Sequence, residues 1–554
     1  LTSLFIPDRV TTIGNKAFKN AAITEINHPE GVASIGDEAF LGTQLSTIAF
    51  PASLTTIGAA AFQSTLLSTI TLPNAIETIK ENAFAQTQIS SITLPGSLTW
   101  LGYNAFSYCP NLKTVTFSPS ATATPLKLDA PVGSNQNNIH TPFYTGNISE
   151  YEMDDEEIAE NRARSLQTVT LNRELVKAHD EVPMALFRYH TALTNLTIGE
   201  QVKTIGSYMF ANSGLTSVEL PSSVTSVEKS AFMDCKNLTT LTAYGKLHIG
   251  HSAFAGSELQ TVNLNGGVNG IERAGFARCK LTSFYMNETT SSGAIAERAF
   301  ENSKIPALTI PGGITSIGNE AFLLCTNLKR ISFLAGTTPL EMGFDEGYVL
   351  AYQGEHGIFF ECPLNEIFVD RDMTFTEEYA DAMDEADEGI FSYVHYDNDT
   401  HKTTVTLGQN ITTIPLRMFS NSAITSLTIP ANVTKIEEWA FDNCLKLTSV
   451  TIEQGTTPLT IGYNMYGSSE YSTFYDCPLS NVYCGRDIVQ VNDKDEVSPA
   501  DGWEEGVFAN KYDQLTSINL GGKLTKILPY MFADTEATGV WIPNIVTSIG
   551  DYAF

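Results

Sequence analysis

Residues 45–62 read LSTIAFPASLTTIGAAAF, and this stretch decides the fold of the chain. Ile48 and Phe50 are two residues apart, so their side chains point to one face of a short strand. Pro51 then ends that strand, because proline cannot donate to a sheet ladder. Ile57 lies on a second side, along which the chain returns, and Phe62 fills the core. The stretch therefore predicts one turn of a coil.

The same pattern recurs from end to end of the 554 residues. A fixed period of about 20 to 50 residues is the signature of a solenoid. The phenylalanines that mark the pattern are first spaced by 22 residues and then resume after interruptions; they are Phe18, Phe40, Phe62, Phe84, Phe106, Phe187, Phe210, Phe232, Phe254, Phe276, Phe300, Phe322, Phe419, Phe441, Phe532 and Phe554. We therefore predict a repeat solenoid of short parallel β-strands rather than three or four globular domains.

The residue types found directly after Ile57 and its equivalents indicate which local structure follows the second side of each repeat. Gly58 stands there in one copy, and Lys80, Glu228 and Pro415 stand there in others. Proline fixes φ near −65°, so the position does not require a positive φ. Proline is also tolerated at the first position of a helix, and we therefore predict a one-turn helix at this point of each repeat.

Three stretches enlarge the predicted solenoid, at about residues 118–165, 334–403 and 453–514. Each contains a Thr-Pro-Leu sequence followed by a pair of aromatic residues, and the second and third also share an Arg-Asp pair at 371–372 and 486–487. We interpret each stretch as two oversized repeats with outward loops. Their anchors would be Phe143, Ile158, Phe359, Phe391, Phe474 and Phe508, which gives about 22 units in all.

The repeat resembles the leucine-rich repeats of BspA-like surface proteins, whose pattern is close to LxxIxLPxxVxxIGxxAFxxCxxL. Residues 215–235, LTSVELPSSVTSVEKSAFMDC, match it closely. The resemblance implies a single leucine-rich repeat solenoid over residues 1–554. It also implies a cell-surface or secreted protein that adheres to host proteins or other cells, and it brings no catalytic residues. Leu1 and Phe554 both fall inside repeats, so we expect the sequence to be a piece of a longer chain.

Seven of the 8 cysteines share one place in the repeat, three residues after an anchoring phenylalanine. Other copies carry Ser, Thr or Ala there. We therefore predict that these thiols are buried singly and reduced, as small apolar side chains. The seven are Cys109, Cys235, Cys279, Cys325, Cys362, Cys444 and Cys477.

The composition narrows the possible partners. The net charge of −30 argues against nucleic acid and anionic lipid surfaces as ligands. No apolar run approaches the length of a membrane helix. Asp493, Asp495, Asp501 and Glu504 are spaced somewhat like a calcium loop, but Ser498 replaces the required glycine. We predict no metal site, no cofactor and no enzymatic activity.

Two classes of function fit the sequence. The first is a non-catalytic adhesion scaffold for a protein or glycan ligand on a host or neighbouring cell. The second is a carbohydrate-binding or carbohydrate-processing protein that uses aromatic and carboxylate residues of the enlarged regions. Flat aromatic side chains offer large contact area to either kind of ligand. The predicted binding residues are Tyr348, Tyr352, Tyr463, Tyr466, Tyr471 and Trp503. The alternative is that such aromatic side chains fill the wider core of the oversized repeats.

The face built from the first strands is the alternative surface for a ligand. The pattern places Thr71, Thr93, Thr309 and Thr428 in ladders on that face. Such a surface is polar and offers few groups by which one ligand could be distinguished from another. The sequence therefore favours the enlarged regions, where aromatic and acidic residues occur together, as the place of recognition.

Overall fold

The computed structural model describes most of the chain in two compact units, Leu1–Gly266 and Gly267–Phe554. The described residues are 2–27, 30–129, 141–143, 165–178, 185–344, 358–375, 389–391, 401–462, 464–466, 469–471, 473–474, 476–491, 506–508 and 514–554.

In the first unit, short strands form two series, which alternate along the chain except between Ser34–Ile35 and Ser91–Leu94. Residues 45–50 and 67–72 form no strand there, so the strand predicted at Ile48 and Phe50 is absent. The first series, from the LxxIxL part of the repeat, contains Ser3–Leu4, Glu25–Ile26, Ser91–Leu94, Thr114–Phe117, Thr168–Leu171, Asn195–Ile198, Ser217–Leu220, Thr240–Ala243 and Thr261–Leu264. The second series contains Thr12–Ile13, Ser34–Ile35, Thr56–Ile57, Thr78–Ile79, Trp100–Leu101, Leu126–Leu128, Leu175–Lys177, Thr204–Ile205, Ser226–Val227 and Leu247–Ile249.

The second unit repeats this arrangement. Its first series contains Ser283–Met286, Ala307–Ile310, Arg330–Phe333, Glu366–Val369, Thr404–Leu407, Ser426–Ile429, Ser449–Ile452, Asn481–Arg486 and Ser517–Lys523. Its second series contains Val268–Ile271, Ser292–Ile295, Ile314–Gly318, Leu340–Phe344, Met373–Phe375, Thr413–Ile414, Lys435–Ile436, Leu459–Gly462, Ile488–Val491, Lys526–Ile527 and Ser548–Ile549. A further antiparallel pair joins Asn464–Tyr466 to Ser469–Tyr471.

Within both series the strands pair in parallel with strands of neighbouring repeats. Thr168–Leu171, for example, pairs residue by residue with Thr114–Phe117 on one side and Asn195–Ile198 on the other. Val169 and Leu171 point inward and are buried, while Thr168 and Thr170 point outward. The period-two alternation of the sequence therefore places most apolar residues of the pattern in the core, although Ile549 of the last repeat is 52% exposed. The predicted class of fold, a leucine-rich repeat coil of parallel strands, is confirmed.

The predicted one-turn helices are wrong: the described residues contain no helix, and a turn occupies this place in each repeat. Ala60 and Ser64, two residues before and after Phe62, have φ of 51° and 58°. Because of these two left-handed residues, the N–H groups of Ala60 and Phe62 point to the next repeat and donate to Glu81 O and Ala83 O, both at 2.8 Å. The turns thus form a third ladder between repeats. Gly58 itself does not have a positive φ, as predicted.

The anchoring phenylalanines stack ring on ring through each unit. Centroid distances between consecutive rings are 5.2 to 5.8 Å, over ten rings from Phe18 to Phe254 and eleven from Phe276 to Phe554. Phe143, Phe359, Phe391, Phe474 and Phe508 of the enlarged regions all belong to these columns and are buried. The enlarged regions therefore extend the same core.

One predicted anchor has no place in the column. Ile158 lies outside the described residues, but the rings of Phe143 and Phe187 stack directly, with 5.7 Å between centroids. No side chain fits between rings at that distance. Phe187 instead occupies the place that Phe391 and Phe508 occupy in the other two enlarged regions.

Three buried arginines hold the enlarged regions to the coil. Arg173, Arg371 and Arg486 are exposed by only 1, 2 and 0%. Each has the same position relative to a strand of the first series. Arg173 comes two residues after Leu171, Arg371 two after Val369, and Arg486 two after Cys484, at the end of the strand Asn481–Arg486. Burial lowers the pKa of all three guanidinium groups from its ordinary value.

Backbone carbonyl groups of earlier repeats bind these guanidinium groups. Arg371 Nη1 donates to Gly312 O at 3.2 Å and Ile314 O at 2.9 Å, and its Nη2 donates to Thr338 O at 2.6 Å. Arg173 binds Pro95 O, Leu98 O and Thr124 O in the same way. Thr338 and Thr124 begin the Thr-Pro-Leu sequences of their regions. Arg173 and Arg371 therefore tie the start of their enlarged region to a repeat before it, whereas Arg486 binds the earlier repeat alone, through Pro430 O, Ala431 O and Val433 O.

The acidic residue that follows each arginine binds in the opposite direction along the chain. Asp487 Oδ1 accepts from Thr525 N at 2.6 Å and Lys526 N at 3.1 Å, and its Oδ2 accepts from Thr525 Oγ1 at 2.6 Å. Asp372 makes the equivalent bonds to Thr412 and Thr413. Each Arg-Asp pair thus links an enlarged region to the repeats on both sides of it.

Candidate binding face

The residues predicted to bind a ligand lie mostly outside the described part of the chain. This holds for Tyr348, Tyr352, Tyr463 and Trp503, and for the three acidic runs at 150–160, 377–388 and 493–505. The backbones of Tyr466 and Tyr471 lie on the antiparallel pair, opposite Ser469 and Asn464. The side chains of these two tyrosines are outside the described residues. The enlarged regions therefore stay a predicted place of recognition.

The outward face of the first series is a ladder of small polar residues in the first unit. Thr93, Thr116, Thr170 and Thr197 lie side by side on consecutive strands. This part of the face has the polar, even surface that the sequence predicts.

The same face of the second unit differs from this polar ladder, and the sequence did not lead us to predict the difference. A trough of about 590 Å³ crosses five strands of the first series, from Ser283–Met286 to Thr404–Leu407. Tyr285 is 45% exposed on its first strand. Phe368 is half-buried on its fourth strand, where it points outward between Ser332 and Thr406. An aromatic side chain thus stands at each side of the trough.

The trough lies where the first series is interrupted. Ser283–Met286 and Ala307–Ile310 belong to consecutive repeats but not to one hydrogen-bonded sheet. The inward residue of the first of these strands is Phe284, whose ring packs edge-on against Phe276 at 5.3 Å and Phe300 at 5.0 Å. Leu308 and Ile331 hold this inward position in the next two strands. The larger phenylalanine therefore stands at the point where the ladder breaks.

Charged side chains line the trough between the two aromatic residues. Arg330 Nε and Glu366 Oε2 are 4.0 Å apart on neighbouring strands, and their side chains are 62 and 63% exposed. An ion pair this exposed contributes little to stability, so both groups stay available to a ligand. Glu288 is exposed at the end of the Tyr285 strand. The trough thus combines aromatic surface with charges of both signs.

Groups for metal chemistry are not assembled in the part of the chain that the structure describes. No cluster of three or more His, Cys, Asp and Glu residues that could hold an ion occurs there. Asp493, Asp495, Asp501 and Glu504 lie outside it. Nor do the described residues contain a helix long and apolar enough to cross a membrane.

A comparison with known protein families identifies the same kind of repeat in this chain. The family described as BspA type leucine-rich repeat region, in six copies, matches residues 1–120, 180–293, 247–343, 390–494 and 501–554. The chain therefore belongs to the BspA type leucine-rich repeat family. Members of this family are repeat scaffolds without a catalytic role. No curated protein shows a significant match to the chain.

Solved structures of bacterial repeat proteins are also similar to it. A leucine-rich repeat protein from Bacteroides ovatus is 21% identical, covers 73% of this chain and 92% of its own, and gives a TM-score of 0.43. The pneumococcal vaccine antigen PcpA is 16% identical, with 74% and 88% covered and a TM-score of 0.29. A leucine-rich cell surface protein from Faecalibacterium prausnitzii is 20% identical, with 61% and 80% covered and a TM-score of 0.22.

Proposed function

We propose that the chain is a non-catalytic adhesion scaffold, exposed at a cell surface or secreted, which captures a protein ligand on a host or neighbouring cell. The observation that supports this most is the trough on the first-series face of the second unit. Its side chains are free of the repeat's packing needs, because inward residues form the core and these point outward.

The residue types in the trough fit protein recognition. Tyr and Arg are over-represented among the residues that dominate binding energy, since they combine a large contact area with directional bonding. Tyr285 and Arg330 are exposed, and Phe368 adds apolar surface at the far side. An extended segment of a partner, lying across the five strands, would meet all three. The net charge of −30 favours a segment with basic residues.

The enlarged regions are a second place of contact in this proposal. Acidic runs accompany the binding residues that the sequence predicts in these regions. Those residues are Tyr348, Tyr352, Tyr463, Tyr466, Tyr471 and Trp503. Carbohydrate is the alternative ligand, because a sugar ring also stacks on an exposed tyrosine such as Tyr285.

A selection experiment tests the proposal without knowledge of the natural partner. A library of random peptides on phage and a printed glycan array are offered to the chain, and the dissociation constants of the best binders are measured by calorimetry. The Tyr285→Ala, Arg330→Ala, Phe368→Ala triple variant should bind the selected peptides at least 10-fold more weakly, as expected when residues that dominate binding are truncated.

The matched control changes the same face away from the trough. Thr428→Ala with Thr451→Ala alters two outward residues on neighbouring strands of the same unit and should leave the affinity unchanged. Glycans alone binding to the chain would favour the carbohydrate alternative. If the triple variant binds the selected peptides as tightly as the unchanged chain does, the trough is not the binding site.

A further inference from the structure

Two pairs of cysteines lie on consecutive repeats. All eight thiols are buried and free. Cys325 and Cys362 follow Phe322 and Phe359, whose rings stack at 5.2 Å, so the two cysteines occupy neighbouring places in the column. Cys362 Sγ donates to Phe322 O at 3.1 Å. The thiols are buried, as predicted, and their reduced state stays a prediction; the prediction that they are packed singly is wrong for this pair, because the two cysteines occupy neighbouring places.

The second pair has the same arrangement. Cys444 and Cys477 follow Phe441 and Phe474, which also stack at 5.2 Å, and Cys477 Sγ donates to Phe441 O at 3.2 Å. Elsewhere in this column a cysteine has a hydroxyl group as its neighbour, as when Ser213 Oγ lies 3.4 Å from Cys235 Sγ, and Cys325 and Cys444 also have one on their other side. Pairs of adjacent thiols are therefore a local departure from the ordinary column, and they occur twice.

We infer that Cys325 with Cys362, and Cys444 with Cys477, are two sites of disulfide formation, which close when the chain folds in the presence of a low-molecular-weight disulfide. In each reaction the two thiols lose two protons and two electrons as the S–S bond forms. The reagent, a disulfide of the oxidised glutathione type, accepts them and is released as two thiols.

The backbone geometry suits these bonds. Phe322 N donates to Ile358 O at 3.1 Å and Leu324 N to Phe360 O at 3.0 Å, so the two cysteine-bearing turns are joined in one ladder. Neighbouring chains in such a ladder lie about 4.8 Å apart. Disulfides accept Cα separations of about 4.4 to 6.8 Å. Because the bond also needs Cβ atoms about 3.5 to 4.5 Å apart, closure requires a small backbone shift as well as rotation of the side chains toward each other.

Burial decides when the bonds can form. It raises the pKa of the Cys362 and Cys477 thiols well above the ordinary value, so the reactive thiolate is scarce in the folded chain. Oxidation therefore accompanies folding or follows local opening. The folded, reduced chain reacts slowly.

The positions of the two cysteine pairs determine which parts of the chain their disulfides would close into loops. Each bond would close a loop, residues 325–362 or 444–477, which contains the greater part of an enlarged region's predicted binding residues, among them Tyr352 and Tyr463. The first enlarged region has no such pair, since Gly146 rather than cysteine follows Phe143 by three residues. Two of the three regions would thus be closed at their base and the first would stay open.

Oxidative refolding tests the inference. The denatured, reduced chain is refolded with a mixture of oxidised and reduced glutathione, and in parallel with dithiothreitol. Free thiols are then alkylated under denaturing conditions, and peptides are mapped by mass spectrometry without reduction. Two cross-linked peptides, one for each pair, should appear only with glutathione. Cys235 and Cys279 should be alkylated in both samples.

Serine variants provide the matched controls, because serine occupies this place naturally in other repeats. Cys362→Ser should remove the first cross-link and keep the second, whereas Cys279→Ser should keep both. The oxidised chain should also melt several degrees above the Cys362→Ser, Cys477→Ser double variant. Eight alkylated thiols after refolding with glutathione, or pairings other than these two, would overturn the inference.

Discussion

The ring of Phe143 stacks directly on the ring of Phe187, 5.7 Å away, although 44 residues separate them in the sequence. Elsewhere in the column the same contact joins phenylalanines 22 residues apart, such as Phe40 and Phe62. The core of the first unit is therefore continuous across the first enlarged region.

This contact distinguishes true anchors from apolar residues of the enlarged regions. Phe187→Ala should lower the free energy of unfolding by about 3 to 5 kcal/mol, the usual cost of removing a buried phenylalanine ring. Ile158→Ala should change it by less than about 0.5 kcal/mol. Thermal unfolding followed by circular dichroism measures both. If both variants lose the same free energy of unfolding, Ile158 is an anchor of the column after all.

Arg371 is expected to be as important for stability as a core residue. Arg371→Ala leaves Gly312 O, Ile314 O and Thr338 O without their donor, and each buried unsatisfied group costs about 1 to 3 kcal/mol. We predict a loss of about 3 kcal/mol or more, measured as a lower midpoint of urea unfolding. Arg330→Ala on the exposed face is the control and should have almost no effect. A midpoint that Arg371→Ala leaves unchanged would show that water replaces the guanidinium without cost.

Gly336 should not tolerate a side chain beside that arginine. A Cβ at this position would lie 2.6 Å from Arg371 Cζ, closer than any ordinary contact. Gly336→Ala should therefore destabilise the second unit in the same assay. Gly522→Ala, where a Cβ meets nothing within 4 Å, is the matched control. Similar midpoints for the two variants would contradict the close approach of backbone and guanidinium.

The buried thiols should resist alkylation in the folded chain. Burial raises the pKa of Cys235 to about 11 and that of Cys484 to about 12. At pH 8 a thiol with a pKa of about 11 is only about one-thousandth thiolate, the reactive form. Iodoacetamide at pH 8 should therefore leave Cys235 and Cys484 unmodified for hours, whereas the chain in guanidinium chloride reacts within minutes. Rapid modification of the folded chain would show that these sites open often.

The aromatic residues of the third enlarged region give a further test of recognition. The Tyr463→Ala, Tyr466→Ala, Trp503→Ala triple variant should weaken capture of the selected peptides while leaving the melting temperature nearly unchanged. Tyr and Trp residues that dominate binding typically cost about 2 kcal/mol or more when truncated. If the variant instead melts several degrees earlier, these side chains belong to the core and the region loses its role in binding.

The periodic part of the structure could be predicted from the sequence because each position repeats its environment. The ring column and the cysteine positions both follow from the spacing of Phe and the residue three places later. The turns could not be predicted in this way. Their left-handed positions hold many residue types, among them Lys16 and Trp439, and only some hold the types that favour this conformation, such as Asn82 and Gly42.

Features that occur only once or a few times were harder to predict. Arg173, Arg371 and Arg486 read as ordinary charged residues, because a sequence does not show that three carbonyl groups converge on a guanidinium. The trough was missed for a similar reason. Tyr285 and Phe368 stand at outward positions that hold mainly Ser and Thr in other strands, and this departure is the signal that could have revealed them.

Hydroxyl-radical footprinting tests the central claim most directly, since it reads the exposure of individual aromatic side chains. In the free chain Tyr285 should be oxidised readily, and Phe368 more slowly because it is half-buried. Adding a saturating amount of a selected peptide should protect both residues, while Tyr244, exposed on the first unit, should keep its rate. Unchanged oxidation of Tyr285 and Phe368 with the peptide bound would contradict the claim that the trough is a binding site.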